Sequence, residues 1–138
     1  MNEFQIKVLI QRGVAALFEH QPNIFEFTSE TGQTEWNLAH HLAVELCEYF
    51  PELDHDLDVV KRNYGNRRPD IIFHERGTHG NNYLVIEVKR DGDPREIADD
   101  MEKIKAYWFQ PPLRYEFGAV VNLRADGKHF VEVFKKPN

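Results

Sequence analysis

The sequence predicts an α/β fold, in which helices pack against a central mixed β-sheet. Along the chain, the hydrophobic pattern indicates two helices, three strands, a helix and two strands. The helix between the third and fourth strands requires a crossover connection, which is expected to be right-handed. The chain has 138 residues, of which 41% are hydrophobic. We therefore expect residues 1–138 to form a single domain.

Two helices are predicted before the first strand. Residues 2–19 mix apolar and polar positions in a helical pattern, although Gly13 is unfavourable in a helix by about 1 kcal/mol. Residues 35–50 have leucines four residues apart on one face, and Thr34 before them is a suitable N-cap. Between the two helices, residues 23–28 are expected to form a short strand or an extended segment.

Three strands are expected next, over residues 57–62, 69–76 and 82–90. A turn region rich in glycine and asparagine separates the last two strands, which predicts an antiparallel hairpin. The third strand is apolar on both faces for most of its length, which is typical of a central strand covered on both sides.

A third helix is predicted over residues 93–109. It begins with an aspartate, a proline and a glutamate in the spacing of a capping box. Two more strands, over residues 117–125 and 129–136, are joined by an Asp-Gly turn.

The formal net charge is −6, which argues against a protein that coats nucleic acid without specificity. It leaves open an enzyme that acts on nucleic acid, because positive charge can be local. The stretch from Lys61 to Arg68 reads KRNYGNRR and carries four cations and no acids. It is either a contact for a phosphate backbone or a solvated basic loop.

The remaining composition favours a cytoplasmic protein without a membrane partner. The first residues lack the pattern of a secretory signal, and no apolar run approaches the roughly 20 residues that cross a bilayer. The single cysteine, Cys47, cannot form an internal disulfide, which suits a reducing compartment.

Charged side chains interrupt the predicted central strand at its end. Side chains alternate along a strand, so Val85, Glu87 and Lys89 share a face, and the last two lie where a covered strand opens. The hairpin should bring Asp70 beside Glu87 or Lys89. Two carboxylates about 4 Å apart repel by roughly 4 kcal/mol at an effective dielectric of 20. Lys89 offsets this repulsion in part, and Mg²⁺ or Mn²⁺ would offset it better.

Two further groups are candidates for the same site. Glu35 falls on the buried stripe of the second helix, in its first turn. There an acid either complements the helix macrodipole or reaches a metal. The backbone carbonyl of Val88 is a further candidate metal ligand. A divalent cation would polarise a phosphoryl oxygen and activate water, and Lys89 would orient that water or stabilise charge on phosphorus.

Pro69-Asp70, followed by Glu87-Val88-Lys89 on the next strand, resembles the PD-(D/E)XK nuclease superfamily, which has the restriction-endonuclease-like fold. The resemblance covers roughly residues 35–125 and includes the core order helix, three strands, helix, strand (αβββαβ). It implies a metal-dependent nuclease, with DNA as the leading substrate. Asp70 and Glu87 would bind Mg²⁺ or Mn²⁺, Lys89 would be catalytic, and Glu35 would join the metal site.

The resemblance also implies residues around the site. Lys103 and Tyr107, on the helix after the motif, would lie near it. Cutting both strands of a duplex would need two active sites, which a homodimer would supply. The candidates for contact with nucleic-acid phosphates are Lys61, Arg62, Arg67, Arg68 and Arg90.

Two other interpretations stay open. In one, the chain is an inactive binding or scaffold module of the same fold, within a defence, repair or mobile-element system, and the same residues form a buried ion-pair network. In the other, the chain is an acidic protein-binding domain with an accidental motif, and Glu35 does not approach Asp70 and Glu87. We expect His74 to be a partly buried, hydrogen-bonded histidine, and Trp36 and Trp108 to be core or core-edge aromatics.

Overall fold

A five-stranded mixed sheet forms the centre of the computed structural model, which describes residues 1–57 and 69–138. The strands lie in the sheet in the order in which they follow along the chain. Neighbouring strands are antiparallel except β3 and β4, which are parallel. The strands are β1 (Asp54–Leu57), β2 (Ile71–His74), β3 (Leu84–Arg90), β4 (Phe117–Leu123) and β5 (His129–Lys135). The predicted α/β class, the β2–β3 hairpin and the crossover between β3 and β4 are thus confirmed.

Four α-helices accompany the sheet in the described ranges. They are α1 (Glu3–His20), α2 (Ile24–Thr28), α3 (Thr34–Leu46) and α4 (Pro94–Lys103). A 3₁₀ turn (Cys47–Tyr49) extends α3, and a π-helical turn (Ile104–Trp108) extends α4. The capping box predicted for α4 is present: Asp93 accepts a hydrogen bond from the Glu96 N–H, and the Glu96 side chain accepts one from the Asp93 N–H. No helix in the described ranges is both long and apolar enough to span a membrane.

Strand β3 is covered on both faces, as its apolar pattern predicts. Leu84, Ile86 and Val88 join the cluster of buried side chains contributed by α1 and α3. Val85 points the other way, into a second cluster with Ile104 and Trp108 from the π-helical turn. The sheet therefore lies between two helical layers, and β3 is buried from Leu84 to Val88 and opens to solvent at Lys89 and Arg90.

The close packing of α1 against α3 explains the glycine inside α1. A Cβ atom added at Gly13 would lie 2.6 Å from Cδ2 of Leu46. Since real Cβ atoms do not approach other atoms so closely, Gly13 permits a contact between the helices that offsets its poor helix propensity.

The segment between the first two long helices was predicted wrongly, because residues 24–28 form helix α2 instead of a strand. The ring of Phe25 stacks on Phe18 of α1, with centroids 6.2 Å apart, and Ile24 is buried. This packing overrides the strand propensity of the segment. Thr34 is also not the N-cap. It is the first residue of α3, and its hydroxyl accepts a hydrogen bond from that of Thr28 at 2.7 Å.

The first strand begins earlier than predicted. Strand β1 starts at Asp54 and its described part ends at Leu57, whereas the predicted strand covered residues 57–62. Residues 58–62 lie outside the described residues. The pattern missed the start because β1 reads Asp-His-Asp-Leu, whose polar side chains do not signal a strand.

Two connections of β3 affect the functional site. The β2–β3 turn, residues 75–81, is exposed. It lies where β3 begins, at the opposite end of the sheet from Lys89 and Arg90. After β3, the side-chain amide of Asn122 accepts a hydrogen bond from the Gly92 N–H (2.8 Å) and donates one to the Gly92 carbonyl (3.1 Å). This buried pair fixes the start of α4 against strand β4.

Candidate active site

Asp70 and Glu87 lie side by side across the β2–β3 hairpin. Ile71 pairs with Ile86 in the ladder, so the residue before one lies beside the residue after the other. The carboxylate of Asp70 accepts a hydrogen bond from the Val88 N–H at 2.6 Å. Glu87 is only 3% exposed. The prediction that the hairpin brings Asp70 beside Glu87 or Lys89 is confirmed, and the register selects Glu87.

A third carboxylate, the buried Asp100 on α4, completes a group that we call the acidic cluster: Asp70, Glu87, Asp100, Lys89 and Lys103. Asp100 Oδ2 lies 3.5 Å from Lys89 Nζ, and Asp100 Oδ1 lies 3.4 Å from Lys103 Nζ. Lys103 Nζ is also 4.0 Å from Glu87 Oε2. Lys103 therefore lies near the site, as the superfamily resemblance implies.

Sequence reasoning did not assign Asp100 to the site, although a signal for it exists. Asp100 lies three residues after Ile97 and four before Ile104, which places it on the apolar face of α4. It is 3% exposed. An acid on the buried face of the crossover helix must be paired, because an isolated buried charge is costly.

The acidic cluster has more negative than positive groups. It holds three carboxylates and two ammonium groups among the described residues. Burial raises the pKa of Asp70 to about 6, against the opposing effect of the Val88 hydrogen bond. Burial and then the neighbouring Asp70 carboxylate raise the pKa of Glu87 well above its usual range. Both shifts favour the protonated carboxyl, so ionising the pair is costly, and a bound cation would offset that cost.

Lys89 stays an ammonium in these surroundings. Burial lowers its pKa, but the carboxylates of Asp100 and Glu35 raise it, and the net shift is upward. A permanently charged lysine at the mouth of the cluster can orient an anionic substrate or stabilise negative charge, but it is not a proton acceptor near neutral pH.

The carboxylate oxygens of the acidic cluster are the type of ligand that a hard divalent cation prefers. Within the described residues, Glu87 Oε1 and Asp100 Oδ2 are buried and have no hydrogen-bond partner. No set of three or more His, Cys, Asp or Glu side chains in residues 1–57 and 69–138 is arranged to hold a metal ion. Mg²⁺ commonly uses only one or two protein carboxylates and keeps several waters. The pair Asp70 and Glu87 fits that mode of binding.

Glu35 lies at the rim of the site and not in the buried stripe of α3, where it was predicted. It is exposed, whereas its neighbour Thr34 and Leu38 are buried. As the second residue of α3, it lies before the helix reaches the core. Glu35 and Asp70 line the same cavity of about 290 Å³, and the Glu35 charge contributes to raising the pKa of Asp70. The two carboxylates therefore approach each other in space.

Arg90 is already engaged by other residues of the chain. Its guanidinium donates hydrogen bonds to Ser29 Oγ (3.2 Å) and Thr34 Oγ1 (3.4 Å) and lies 5.7 Å from the centroid of the Phe25 ring. It thus ties the α2–α3 segment to the end of β3.

Tyr107 and four basic residues were also predicted to lie around the site. Tyr107 lies in the π-helical turn and is partly buried against the second hydrophobic cluster. The remaining candidates for phosphate contact lie outside the described residues: Lys61, Arg62, Arg67 and Arg68.

A separate polar group confirms the interpretation of His74 as a structural histidine. Its Nε2 lies 2.7 Å from Oδ2 of Asp56, and Arg76 contacts the same carboxylate with two nitrogens, each 2.9 Å from an oxygen. This group joins β1 to β2 and takes no part in the acidic cluster.

Comparisons with protein-family models, with curated proteins and with solved structures found no match to this chain. The geometry of the acidic cluster itself indicates what the site can do. It combines paired buried carboxylates, surplus negative charge and a fixed ammonium group at an opening of the surface.

Proposed function

We propose that this chain is a divalent-metal-dependent nuclease of the PD-(D/E)XK type, which hydrolyses phosphodiester bonds, with DNA as the leading substrate. The observation that carries the proposal is the carboxylate pair of half-buried Asp70 and buried Glu87, with the Lys89 ammonium two residues after Glu87 on the same strand. Two adjacent carboxylates largely shielded from water are costly to ionise, and a catalytic metal site would account for their presence.

The order of elements supports the same proposal. From α3 to β4 the chain runs helix, three strands, helix, strand, which is the αβββαβ order that the superfamily resemblance implies. The acidic cluster lies at the end of the central strand β3, where that superfamily has its motif. We therefore propose the restriction-endonuclease-like fold as the finer description of this α/β structure.

Each residue would have a distinct role. Asp70 and Glu87 would hold Mg²⁺ or Mn²⁺, with the carbonyl of Val88 as a further candidate ligand, and Glu35 would contribute charge from the rim. When bound, the metal supplies Lewis-acid polarisation of the phosphoryl group and activation of water. Lys89 would orient the scissile phosphate and stabilise the negative charge that develops on it.

Asp100 and Lys103 would act on the other residues of the site. Asp100 keeps Lys89 in place and charged through their ion pair, and Lys103 partly balances Glu87. Both reach the site from α4, which the crossover places against the sheet.

A second candidate function is a binding module that keeps the fold and lacks activity. The observation in its favour is the set of ion pairs that Lys89 and Lys103 make with Asp100 and Glu87. If these pairs close the site, no metal enters and the cluster is a structural network. Metal binding separates the two functions, since an enzyme site should be stabilised by Mg²⁺ or Mn²⁺ and a closed network should not respond.

The decisive experiment is a cleavage assay on labelled single-stranded, duplex and junction DNA and on RNA, with Mg²⁺, Mn²⁺ or EDTA. The variants are Lys89→Ala and Asp70→Asn. Lys135→Ala is the matched control. Lys135 ends β5 beside the start of β4, at the end of the sheet opposite the acidic cluster, and pairs with Glu116. We expect metal-dependent cutting by the wild type and by Lys135→Ala, and a loss of at least about 100-fold in the other two variants.

The same samples would be followed by thermal unfolding in metal and in EDTA. Cutting that both site variants retain would point to a contaminating nuclease and refute the proposed site. A wild type that neither cuts nor gains thermal stability with either metal would favour the binding module.

A further inference from the structure

Trp36 is a large aromatic side chain left in solvent beside the candidate active site. It is 56% exposed, whereas Trp108, the other tryptophan of the chain, is fully buried. The expectation that both are core or core-edge residues therefore holds for Trp108 alone. An indole that stays exposed on a helix gives up most of the stabilisation that burial would provide.

The indole shares a cavity with carboxylates of the site. Trp36, Glu35 and Asp70 line the same space of about 290 Å³. Asp70 in turn belongs to the acidic cluster with Glu87. A group that rests on the Trp36 ring would therefore be held next to the place where the scissile phosphate is proposed to bind.

The ring is also held in position. His40, one helical turn further along α3, stacks on it with ring centroids 5.9 Å apart and planes only 6° apart. His41 contacts His40 edge-on at 4.9 Å. Such support lowers the entropy lost when a planar ligand binds, because the ring is already ordered.

We propose that Trp36 stacks on an unpaired base of the substrate, so that the candidate site selects single-stranded over duplex nucleic acid. The proposal rests on the proposed nuclease function, because it takes the neighbouring Asp70 as part of the phosphodiester site. A paired base inside a duplex has both faces covered by its neighbours, whereas an unpaired base presents a free face to an aromatic side chain.

The charge at the rim favours a base as the occupant of this position. Glu35 is exposed next to Trp36, and its carboxylate would repel a phosphate placed there. Nucleobases are uncharged near neutral pH and stack on indole rings without regard to sequence. The rim thus suits a neutral planar group, while the cationic Lys89, which pairs with Asp100 in the acidic cluster, would meet the phosphate.

The test uses two readouts. Quenching of tryptophan fluorescence reports contact with Trp36 in the wild type, since Trp36 is exposed and Trp108 is fully buried. Fluorescence anisotropy of end-labelled oligonucleotides reports the affinity of every variant, including those without Trp36. The wild type is titrated in EDTA with a short single-stranded oligonucleotide, with the same strand made abasic, and with the matching duplex. The titrations are repeated with Mg²⁺ in a Lys89→Ala background, which preserves the strands. The variants are Trp36→Ala and Trp36→Phe.

Phe4→Ala is the matched control, because Phe4 is 72% exposed on α1. It shares a cavity with Met1, which also lines a cavity with Tyr83 and Phe117 at the starts of β3 and β4. Phe4 thus lies near the end of the sheet opposite the acidic cluster. Its substitution removes an exposed aromatic ring without touching the site.

We expect the base-containing single strand to quench Trp36 and to bind about 5- to 100-fold more weakly to Trp36→Ala. Binding should be largely restored in Trp36→Phe and unchanged in Phe4→Ala. The abasic strand and the duplex should bind Trp36→Ala and the wild type equally. Equal affinity of wild type and Trp36→Ala for the single strand would overturn the proposal, as would no binding of any strand.

Two further results separate this proposal from the nuclease function. If Trp36→Ala cuts single strand and duplex in the wild-type ratio, the nuclease stands and base stacking is wrong. If the wild type binds the single strand through Trp36 but cuts nothing in Mg²⁺ or Mn²⁺, the nuclease function is wrong. Shielding of Trp36 from iodide that grows with protein concentration would show that a second copy of the chain covers the ring, and would overturn the proposal.

Discussion

Replacing Asp70 with asparagine should make the metal-free protein more stable at neutral pH. Asparagine has nearly the same shape, and its side-chain oxygen can still accept the Val88 N–H. In the wild type, burial raises the pKa of Asp70 from 3.8 to about 6. The folded chain therefore binds this proton more tightly than the unfolded chain does. Its ionisation destabilises the fold above about pH 6 and has no such effect below about pH 4.

The magnitude follows from the shift in pKa. A difference of about two units between folded and unfolded states corresponds to about 3 kcal/mol of unfolding free energy, lost as the pH rises from about 4 to 6. The assay is urea unfolding of wild type and Asp70→Asn in EDTA at five pH values between 4 and 8. Asp99→Asn, at an exposed position of α4, supplies the baseline for the same chemical change.

We expect the stability difference between Asp70→Asn and the wild type to grow in favour of the variant between pH 4 and 7. A difference that stays constant over this range would refute the argument that Asp70 is a costly buried acid. Excess Mg²⁺ should then reverse the order. A ligand at 1,000 times its dissociation constant stabilises the wild type by about 4.1 kcal/mol, which exceeds the variant's advantage in EDTA, and the variant should lose most of that gain.

Three further predictions concern residues around the site and in the core. Asp100→Asn should move the alkaline limit of the pH–activity profile to lower pH, because the Asp100 carboxylate helps to raise the pKa of Lys89; an unchanged profile would exclude that coupling. Gly13→Ala should lower the free energy of unfolding by up to about 2 kcal/mol, because overpacking of its methyl group against Leu46 at 2.6 Å outweighs the ~1 kcal/mol gained in helix propensity; a more stable variant would show that the Leu46 side chain moves aside. Arg90→Ala should lower stability by about 1 kcal/mol through its lost hydrogen bonds to Ser29 and Thr34. Oligonucleotide affinity should stay at the wild-type value, and a fall at low salt that shrinks as the salt concentration rises would assign Arg90 to a phosphate contact.

The hairpin part of the site could be predicted from sequence because strand alternation and hairpin register are local rules. Once β2 and β3 are recognised, Asp70 has to lie beside Glu87 or Lys89, and the observed register selects Glu87. Asp100 was harder to assign, because its contact with Lys89 depends on how the crossover helix docks. That docking is set by Asn122 and Gly92, whose hydrogen bonds join residues 30 positions apart.

The wrong predictions have a similar cause. Residues 24–28 are helical because Phe25 finds a partner ring on α1, and no local pattern specifies that partner. Helical periodicity alone placed Glu35 on the buried stripe of α3, and it does not say where the core ends. The exposure of Trp36 has the same origin, since it lies one residue further along the same first turn.

The exposed β2–β3 turn divides the acidic cluster between two pieces of the chain. Residues 1–76 carry Asp70, whereas residues 82–138 carry Glu87, Asp100 and both lysines. The turn lies at the end of the sheet away from these side chains, so a break within it would leave their surroundings intact. If the nuclease function holds, two separately produced halves would each be inert, and their reassembly would restore cutting. The chain could then serve as a split reporter of the proximity of two fused partners.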